Sequence, residues 1–154
     1  MSNKVAYLGS GLGLIVIAIF ATLINAGVFK TIEAINAQQC HVIDGIVGAE
    51  DMTFIPGTNM AFVSAYDRRI ERADPTAKIS GGIYLYDLDA QDLIKVSPEV
   101  NDFKPHGISL YQGEQGEIRL FVVDHANQQH QVQIFEYKNQ SLTLLRTILA
   151  PEMI

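Results

Sequence analysis

Two histidines mark places where turn residues meet apolar, strand-like runs. His106 stands between a proline and a glycine just before such a run, and His125 closes the run 120–124. Histidine titrates near neutral pH, so histidines at strand ends are suited to general acid–base catalysis. Spacing along the chain sets no geometry, and two ordinary polar strand ends remain the simpler interpretation of these residues alone.

Two adjacent acids, Glu50 and Asp51, precede another apolar run. Because neighbouring residues on a strand point to opposite sides, this pair could serve two different sites. Carboxylate oxygens are hard ligands of the kind that Ca²⁺ prefers. A solvated turn is nevertheless the favoured interpretation of the dipeptide alone, because acidic side chains are mostly exposed.

Other charged and polar residues give weaker signals. The arginines of segment 67–74 are interspersed with acids, which predicts a mixed-charge loop rather than a basic patch. His41 and His130 lie in polar stretches and are predicted to be on the surface.

Beyond residue 40, short β-prone runs alternate with turn residues, and long helical periodicity is absent. We therefore expect short β-strands to position the residues described above. Such a pattern is typical of a sandwich, barrel or propeller. The strands form two units of four in the same order, as propeller blades of about 40–50 residues do, although a plain meander gives the same count. The predicted strands are Met52–Ile55, Met60–Ser64, Ile83–Leu88, Leu93–Val96, Ile108–Tyr111, Arg119–Val123, Val132–Tyr137 and Leu142–Leu149.

The first thirty residues have a different character. An uncharged, largely apolar stretch runs from residue 5 to residue 29, between two lysines. A helix of this length can cross a bilayer, so residues 1–30 are predicted to be a membrane anchor, with a cleaved secretory signal as the alternative. Residues 31–39 are predicted to form a short helix or stalk, and residues 40–154 the β domain. We expect that domain to be extracytoplasmic, and secreted if the leader is cleaved.

Composition excludes several classes of protein. The 154 residues carry a net charge of −6, and all seventeen acids follow residue 30, which argues against a nucleic-acid partner. A single cysteine, Cys40, excludes an internal disulfide scaffold and a multi-cysteine zinc site. Hydrophobic residues make up 48% of the chain, too many for a disordered protein.

In their order and spacing, these segments resemble the amino-terminal part of the paraoxonase/arylesterase family. The resemblance covers about residues 38 to 149. The matching motifs are Cys40 with Gly45-Ile46, Gly48-Ala49-Glu50-Asp51, Ala61-Phe62-Val63-Ser64, Gly82-Ile83-Tyr84-Leu85-Tyr86-Asp87-Leu88, Pro105-His106-Gly107-Ile108-Ser109 and Leu120-Phe121-Val122-Val123-Asp124-His125.

The resemblance implies a fold and a site. That family has a six-bladed β-propeller with two calcium ions in its central channel, so residues 40–154 would form about the first two blades. By position, Glu50 looks like a ligand of the catalytic calcium. Asp51 looks like a ligand of the structural calcium, to which Ile108 would offer its backbone carbonyl. His106 and His125 align with the histidine pair proposed to activate water.

The implied chemistry is calcium-dependent hydrolysis of small lactones and aryl esters. Calcium would polarise the carbonyl oxygen, His106 would take a proton from the attacking water, and His125 would orient or relay for it. In that family, the remaining calcium ligands lie on later blades. Cys40 resembles a family cysteine that forms a disulfide with a second cysteine near the carboxyl terminus.

This sequence stops before those later ligands and has no second cysteine. We therefore expect it to be an amino-terminal fragment that folds weakly and does not turn over substrate alone. The alternative function is that of a non-catalytic, membrane-anchored propeller module that binds a partner.

Overall fold

The computed structural model of the protein describes residues 2–33, 35, 40–77, 79–126 and 129–149, with side chains from Gly13 onward. The chain divides into two compact units, Met1–Val42 and Ile43–Ile154. The described residues of the first unit contain helix α1 (Ser2–Asn25), and those of the second contain eight strands and one short helix.

The apolar leader is helical, as its composition predicts. Gly27, in the left-handed region with φ of 73°, follows the end of α1. Within the part of the chain that the structure describes, no helix is long and apolar enough to cross a membrane, so the predicted anchor is not supported here. Of the short helix or stalk predicted over residues 31–39, residues 31–33 and 35 are not helical, and the other positions lie outside the described residues.

The strands of the second unit form two antiparallel sheets in simple chain order. The first sheet is β1-β2-β3-β4 and the second sheet is β5-β6-β7-β8. These two successive four-stranded meanders confirm the predicted all-β class and are consistent with two propeller blades. The strands are β1 (Ala49–Phe54), β2 (Met60–Ala65), β3 (Gly82–Asp87), β4 (Asp92–Lys95), β5 (Pro105–Gln112), β6 (Ile118–Asp124), β7 (Gln131–Lys138) and β8 (Ser141–Leu149).

The predicted loop at residues 67–74 is wrong, because helix α2 (Arg68–Ala73) lies there. Asp67 caps it: one carboxylate oxygen accepts hydrogen bonds from the amides of Arg69 at 3.0 Å and Ile70 at 3.3 Å. The six helical residues are otherwise mostly good helix formers, so the capping aspartate decides the local structure. This helix places Arg68 beside the first strand.

A single apolar core lies between the two sheets. Phe62 of β2 and Phe135 of β7 are completely buried in it. The Phe62 ring also meets the Tyr137 ring edge-on, with centroids 4.9 Å apart, so aromatic contacts join the first sheet to the second. The core consists of Ile55, Phe62, Ile83, Leu85, Val96, Phe103, Leu120, Val122, Phe135 and Leu142.

The first strand of each sheet carries an irregularity in its pairing. The register of β1 on β2 shifts between Ala49 and Asp51, and that of β5 on β6 shifts between Pro105 and Ile108. A bulge turns the extra residue out of the regular ladder and redirects its side chain. The two bulges contain Glu50 and His106, two of the residues that the sequence singled out.

Candidate functional site

Glu50 lies in the bulge of β1 and bridges two positively charged or titratable groups. One oxygen of its carboxylate lies 2.7 Å from Nδ1 of His106 on β5. The other oxygen pairs with the guanidinium of Arg68, at the start of α2. The Glu50 side chain is only 20% exposed, so these contacts replace much of its hydration. The turn favoured for this dipeptide is wrong, because both acids lie in strand β1, although Glu50 remains exposed as a residue.

Asp51 makes a separate set of contacts. Its Oδ2 accepts a hydrogen bond from the amide of Ile108 at 2.8 Å, and its Oδ1 accepts one from the Met52 amide at 2.8 Å. The structure thus brings together Asp51 and Ile108, which the resemblance assigns to one calcium ion. Glu50 and Asp51 serve different partners, as expected for neighbouring strand positions.

Ser64 on β2 connects the two bulges. Its buried hydroxyl donates to the backbone carbonyl of His106 at 2.6 Å and accepts from the amide of Asp51 at 3.2 Å. One side chain therefore holds the β1 backbone and the β5 backbone in register across the sheets. Without it, the His106 carbonyl and the Asp51 amide would each lose a hydrogen-bond partner.

The imidazole rings of three histidines are in contact in series, beginning at the histidine that lies beside Glu50. The rings of His106 and His125 are nearly perpendicular, with centroids 4.8 Å apart. His125 in turn lies against His130, with their Nδ1 atoms 2.7 Å apart. His130 is partly exposed, in keeping with its predicted place at the surface, but its contact with His125 was not predicted; His41 is exposed as predicted.

A buried carboxylate supports the backbone beside His125. Asp124 is fully buried, and its Oδ1 accepts from the amides of Lys104 at 2.8 Å and Ala126 at 3.2 Å. Its Oδ2 accepts from the side-chain amides of Gln131 at 2.6 Å and Gln133 at 2.8 Å. Four donors compensate for the loss of water around this charge.

The electrostatic surroundings of His125 favour its neutral form. Burial, foremost, and the neighbouring imidazoles of His106 and His130 lower the pKa of His125 below its ordinary value. The shift favours the neutral imidazole and makes the protonated form of His125 less stable than that of an exposed histidine.

A cavity of about 280 Å³ opens beside the two predicted catalytic histidines. Within it, Lys104 contacts Glu71 at 2.7 Å and also Asp102 at 3.1 Å. The Glu71 hydrogen bond raises the pKa of Lys104, and the Lys104 hydrogen bond lowers the pKa of Glu71. The lining residues are Tyr66, Arg68, Glu71, Lys104, His106 and His125.

The described residues fit part of a calcium site. Glu50 and Asp51 supply hard carboxylate oxygens, and the backbone carbonyl of Ile108 is near Asp51, since the Ile108 amide is bonded to it. Ca²⁺ takes about 6–8 oxygen ligands. No group of three or more histidine, cysteine or acidic side chains suited to a metal occurs among the residues described. A complete coordination sphere therefore needs ligands beyond these.

The structure thus brings four predicted residues, Glu50, Asp51, His106 and Ile108, into one region, with His125 against His106. Cys40 belongs to the other unit and is exposed; its disulfide stays a prediction.

Three further residues of this region were missed by the sequence analysis. For Arg68 a signal existed, because Asp67 before a run of helix formers predicts a helix start. For Tyr66 and His130 the sequence carries no such signal, since only the folding of separate strands brings them to the histidine pair.

Comparisons with known proteins identify relatives of this chain. The family model described as Arylesterase matches residues 31–152. Human serum paraoxonase/lactonase 3 is 30% identical over 152 residues, which cover 92% of this chain and 42% of that protein. Bovine serum paraoxonase/arylesterase 2 is 31% identical over 123 residues, or 75% of this chain and 34% of that protein.

Human serum paraoxonase/arylesterase 1 is 27% identical over 136 residues, covering 82% of this chain and 37% of that protein. The chain therefore spans roughly two-fifths of the length of the curated relatives that it matches. The family match covers most of the chain, including every residue of the site described above. The protein belongs to the arylesterase family.

Proposed function

We propose that this chain supplies the histidine pair and the acidic residues of a hydrolase that acts on aryl esters and lactones. The observation that carries the proposal is the position of His106, which lies 2.7 Å from the Glu50 carboxylate and against the His125 ring. Family membership supports the reaction class, because the relatives are named as paraoxonases, arylesterases and lactonases. Since those relatives are more than twice as long as the matched part, we assign the activity to the full-length propeller.

His106 is the general base in this proposal. The Glu50 carboxylate lies 2.7 Å from Nδ1 of His106, and a proton on Nδ1 facing this carboxylate would leave Nε2 free to accept a proton. Nε2 then removes a proton from a water molecule that attacks the ester carbonyl carbon. Arg68 pairs with the second Glu50 oxygen and so holds the carboxylate in position for His106.

His125 relays the proton in this scheme. It lies against His106, and because burial disfavours its protonated form, it would hold a proton from His106 only transiently and pass it on. His130 contacts the far side of His125 and orients its ring. Transfer along neighbouring imidazoles would return His106 to its neutral form after each turnover.

We also propose that the activity depends on calcium. Glu50, Asp51 and the Ile108 carbonyl would be this chain's ligands, completed by oxygens from outside the described residues. When bound, the ion would supply electrophilic stabilisation of the ester carbonyl oxygen. Removal of calcium with EGTA should abolish hydrolysis and lower the melting temperature of the full-length protein. Full activity and an unchanged melting temperature in EGTA would contradict calcium dependence.

The principal test of the function is a substitution of His106. In the full-length protein, His106→Gln should lower kcat/KM for phenyl acetate and for a lactone by about 10²–10⁴-fold, the range typical of a lost general base. His41→Gln is the matched control, because His41 is exposed and lies in the other unit. Retained activity in His106→Gln, or an equal loss in both variants, would overturn the proposed role.

We propose further that the β unit works outside the cytoplasm. The uncharged stretch 5–29 favours export whether or not it is cleaved. An alkaline phosphatase fused after residue 149 should be active in bacteria, because that enzyme needs an oxidising compartment for its disulfides. An inactive, intact fusion would contradict export.

A further inference from the structure

His125 and His130 lie opposite each other where strands β6 and β7 meet their connecting loop. Asp124, the last residue of β6, pairs in register with Gln131, the first residue of β7. A side-chain bond strengthens this pairing, because the Gln131 amide donates to the Asp124 carboxylate at 2.6 Å. The two histidines are the next residues outward from this pair, so the strand pairing itself brings their imidazole rings together.

A short contact between ring nitrogens joins the two histidines. Nδ1 of His125 lies 2.7 Å from Nδ1 of His130, and the rings are nearly perpendicular, with centroids 4.7 Å apart. At this distance one nitrogen carries a proton that the other accepts. Because Nδ1 of His125 serves His130, a proton that comes from His106 must enter His125 at its other ring nitrogen, Nε2. His125 thus has one nitrogen for each neighbouring histidine.

His130 differs from the other two histidines in its position relative to the cavity. Of the residues that the structure describes, those lining the cavity of about 280 Å³ include His106 and His125 but not His130. The side chain of His106 is 36% exposed, and a substrate in the cavity would cover the part of it that faces the cavity. His130 is partly exposed and lies outside the cavity, so its route to solvent stays open when a substrate is bound.

The surroundings of His125 favour onward transfer of a proton. Burial, foremost, and the two neighbouring imidazoles lower the pKa of His125. The Asp124 and Glu50 carboxylates act in the opposite direction but do not reverse the shift. Protonated His125 is therefore a short-lived state, and a proton received from His106 either returns or moves on to His130.

We propose that His130 is the exit through which the proton of hydrolysis leaves the site for solvent. This inference rests on the proposed hydrolase function and names the residue to which His125 passes its proton. His130 touches no substrate in this scheme and acts only through His125.

Each transfer in the scheme conserves protons. His106 removes a proton from the attacking water and gives it to Nε2 of His125. His125 then releases the proton of its Nδ1 to Nδ1 of His130, and His130 releases the proton of its Nε2 to water or buffer. After the product leaves, proton exchange with water in the cavity and with the surrounding solvent restores the starting tautomers.

The leaving group of the substrate decides how much this exit matters. An aryl ester of an acidic phenol, such as 4-nitrophenyl acetate, releases a phenolate that needs no proton, so the proton stays on the histidines and must leave through them. An aliphatic lactone releases an alkoxide, which takes the proton back from His106. The proton exit therefore matters more for the aryl ester, whereas a purely structural role of His130 would affect both substrates equally.

The test removes proton transfer and keeps the hydrogen bond. In the full-length protein, His130→Gln can still bond to His125 but cannot carry a proton onward. It should lower kcat for 4-nitrophenyl acetate about 5- to 20-fold and kcat for δ-valerolactone less than about twofold, with KM unchanged. His130→Ala should show the same difference between substrates. Rising concentrations of imidazole buffer should restore most of the lost kcat in His130→Ala, because the added imidazole carries the proton instead.

His41→Gln is the matched control. His41 is an exposed histidine in the other unit, so this variant should show neither the loss of kcat nor the dependence on buffer. An equal loss on both substrates, or a loss that imidazole buffer does not restore, would overturn the proton exit in favour of a structural role. Unchanged kinetics in both His130 variants would overturn it as well.

The outcome for His130 can be separated from that for the function. If His106→Gln is inactive while both His130 variants are fully active, the hydrolase assignment stands and the His130 inference fails. If the His106 and His130 variants are all fully active, the proposed function itself fails. Should His130→Ala not fold, His130→Gln carries the test, because its side-chain amide keeps the bond to His125, and an equal loss on both substrates would then contradict the inference.

Discussion

The two sheets of the β unit have the same order of strands but contribute different chemistry. Each carries a bulge in its first strand, at Glu50 in the first sheet and around His106 in the second. The first sheet presents fixed negative charge from Glu50 and Asp51. The second presents titratable imidazoles, and the buried Asp124 supports the chain that carries them.

This difference shows how a repeated architecture forms an asymmetric site. A bulge redirects one side chain without changing the rest of the ladder, so the same backbone feature can carry a carboxylate in one sheet and a histidine in the other. Ser64 then bonds to both bulged segments and holds them together. The reactive pair depends on the contact between sheets rather than on either sheet alone.

The largest expected effect concerns the core that the sheets share. Phe62→Ala in the first sheet and Phe135→Ala in the second should each destabilise the protein by about 3–5 kcal/mol, because each ring is fully buried. Urea unfolding followed by circular dichroism measures the free energy of unfolding. Leu145→Ala is the control, since Leu145 is 49% exposed and should cost little. Destabilisation by only one of the two phenylalanine variants would contradict a shared core.

A smaller effect is expected from the carboxylate that distinguishes the second sheet. Asp124→Ala should destabilise by about 2–3 kcal/mol, because two amides and two glutamine side chains lose their acceptor. The same unfolding measurement applies, with exposed Asp92→Ala on β4 as control. A variant as stable as the parent would mean that Asp124 does not hold the segment before His125.

Ser64→Ala tests the connection between the bulges. The expected cost is about 1–2 kcal/mol, because the substitution leaves the partly buried His106 carbonyl without its donor. Turnover should fall as well, since His106 loses its fixed position. Ser80→Ala is the control: its hydroxyl also bonds to a carbonyl, that of Val100, but in an exposed position. Unchanged turnover in Ser64→Ala would show that the hydrogen bonds of Ser64 between the two bulges are not needed for catalysis.

The smallest effect is a pH dependence of stability from the second sheet. Because burial lowers the pKa of His125 in the folded state, the unfolded chain binds this proton more tightly. The contribution of neutral His125 to the free energy of unfolding is fully present above the unfolded pKa of about 6.5. It is lost as the pH falls through the lower pKa of the folded state. Melting temperatures between pH 8 and 5 should fall less steeply for His125→Asn than for the parent, and His41→Asn should leave the slope unchanged. Equal slopes in all three proteins would contradict a lowered pKa.

Much of the fold could be predicted because β-strands can be recognised from the local sequence pattern. Alternating and apolar runs separated by turn residues placed all eight strands within a few residues of their observed positions. Helix α2 was missed, since six residues among mixed charges carry little periodicity and only its aspartate cap identifies it. The contact of His130 with His125 was also missed, because the polar neighbours of His130 carry no signal for it.

The sequence by itself determined the all-β class, the family and the identity of the acids and histidines that could act together, since these depend on residue type, order and local pattern. Only the tertiary structure decided which of them meet. Glu50 reaches His106 through two bulges on different sheets, and Tyr66 enters the same cavity because Gly48 lets two backbones approach closely. Such contacts join residues far apart in the chain, and their geometry comes from packing, which no local pattern encodes.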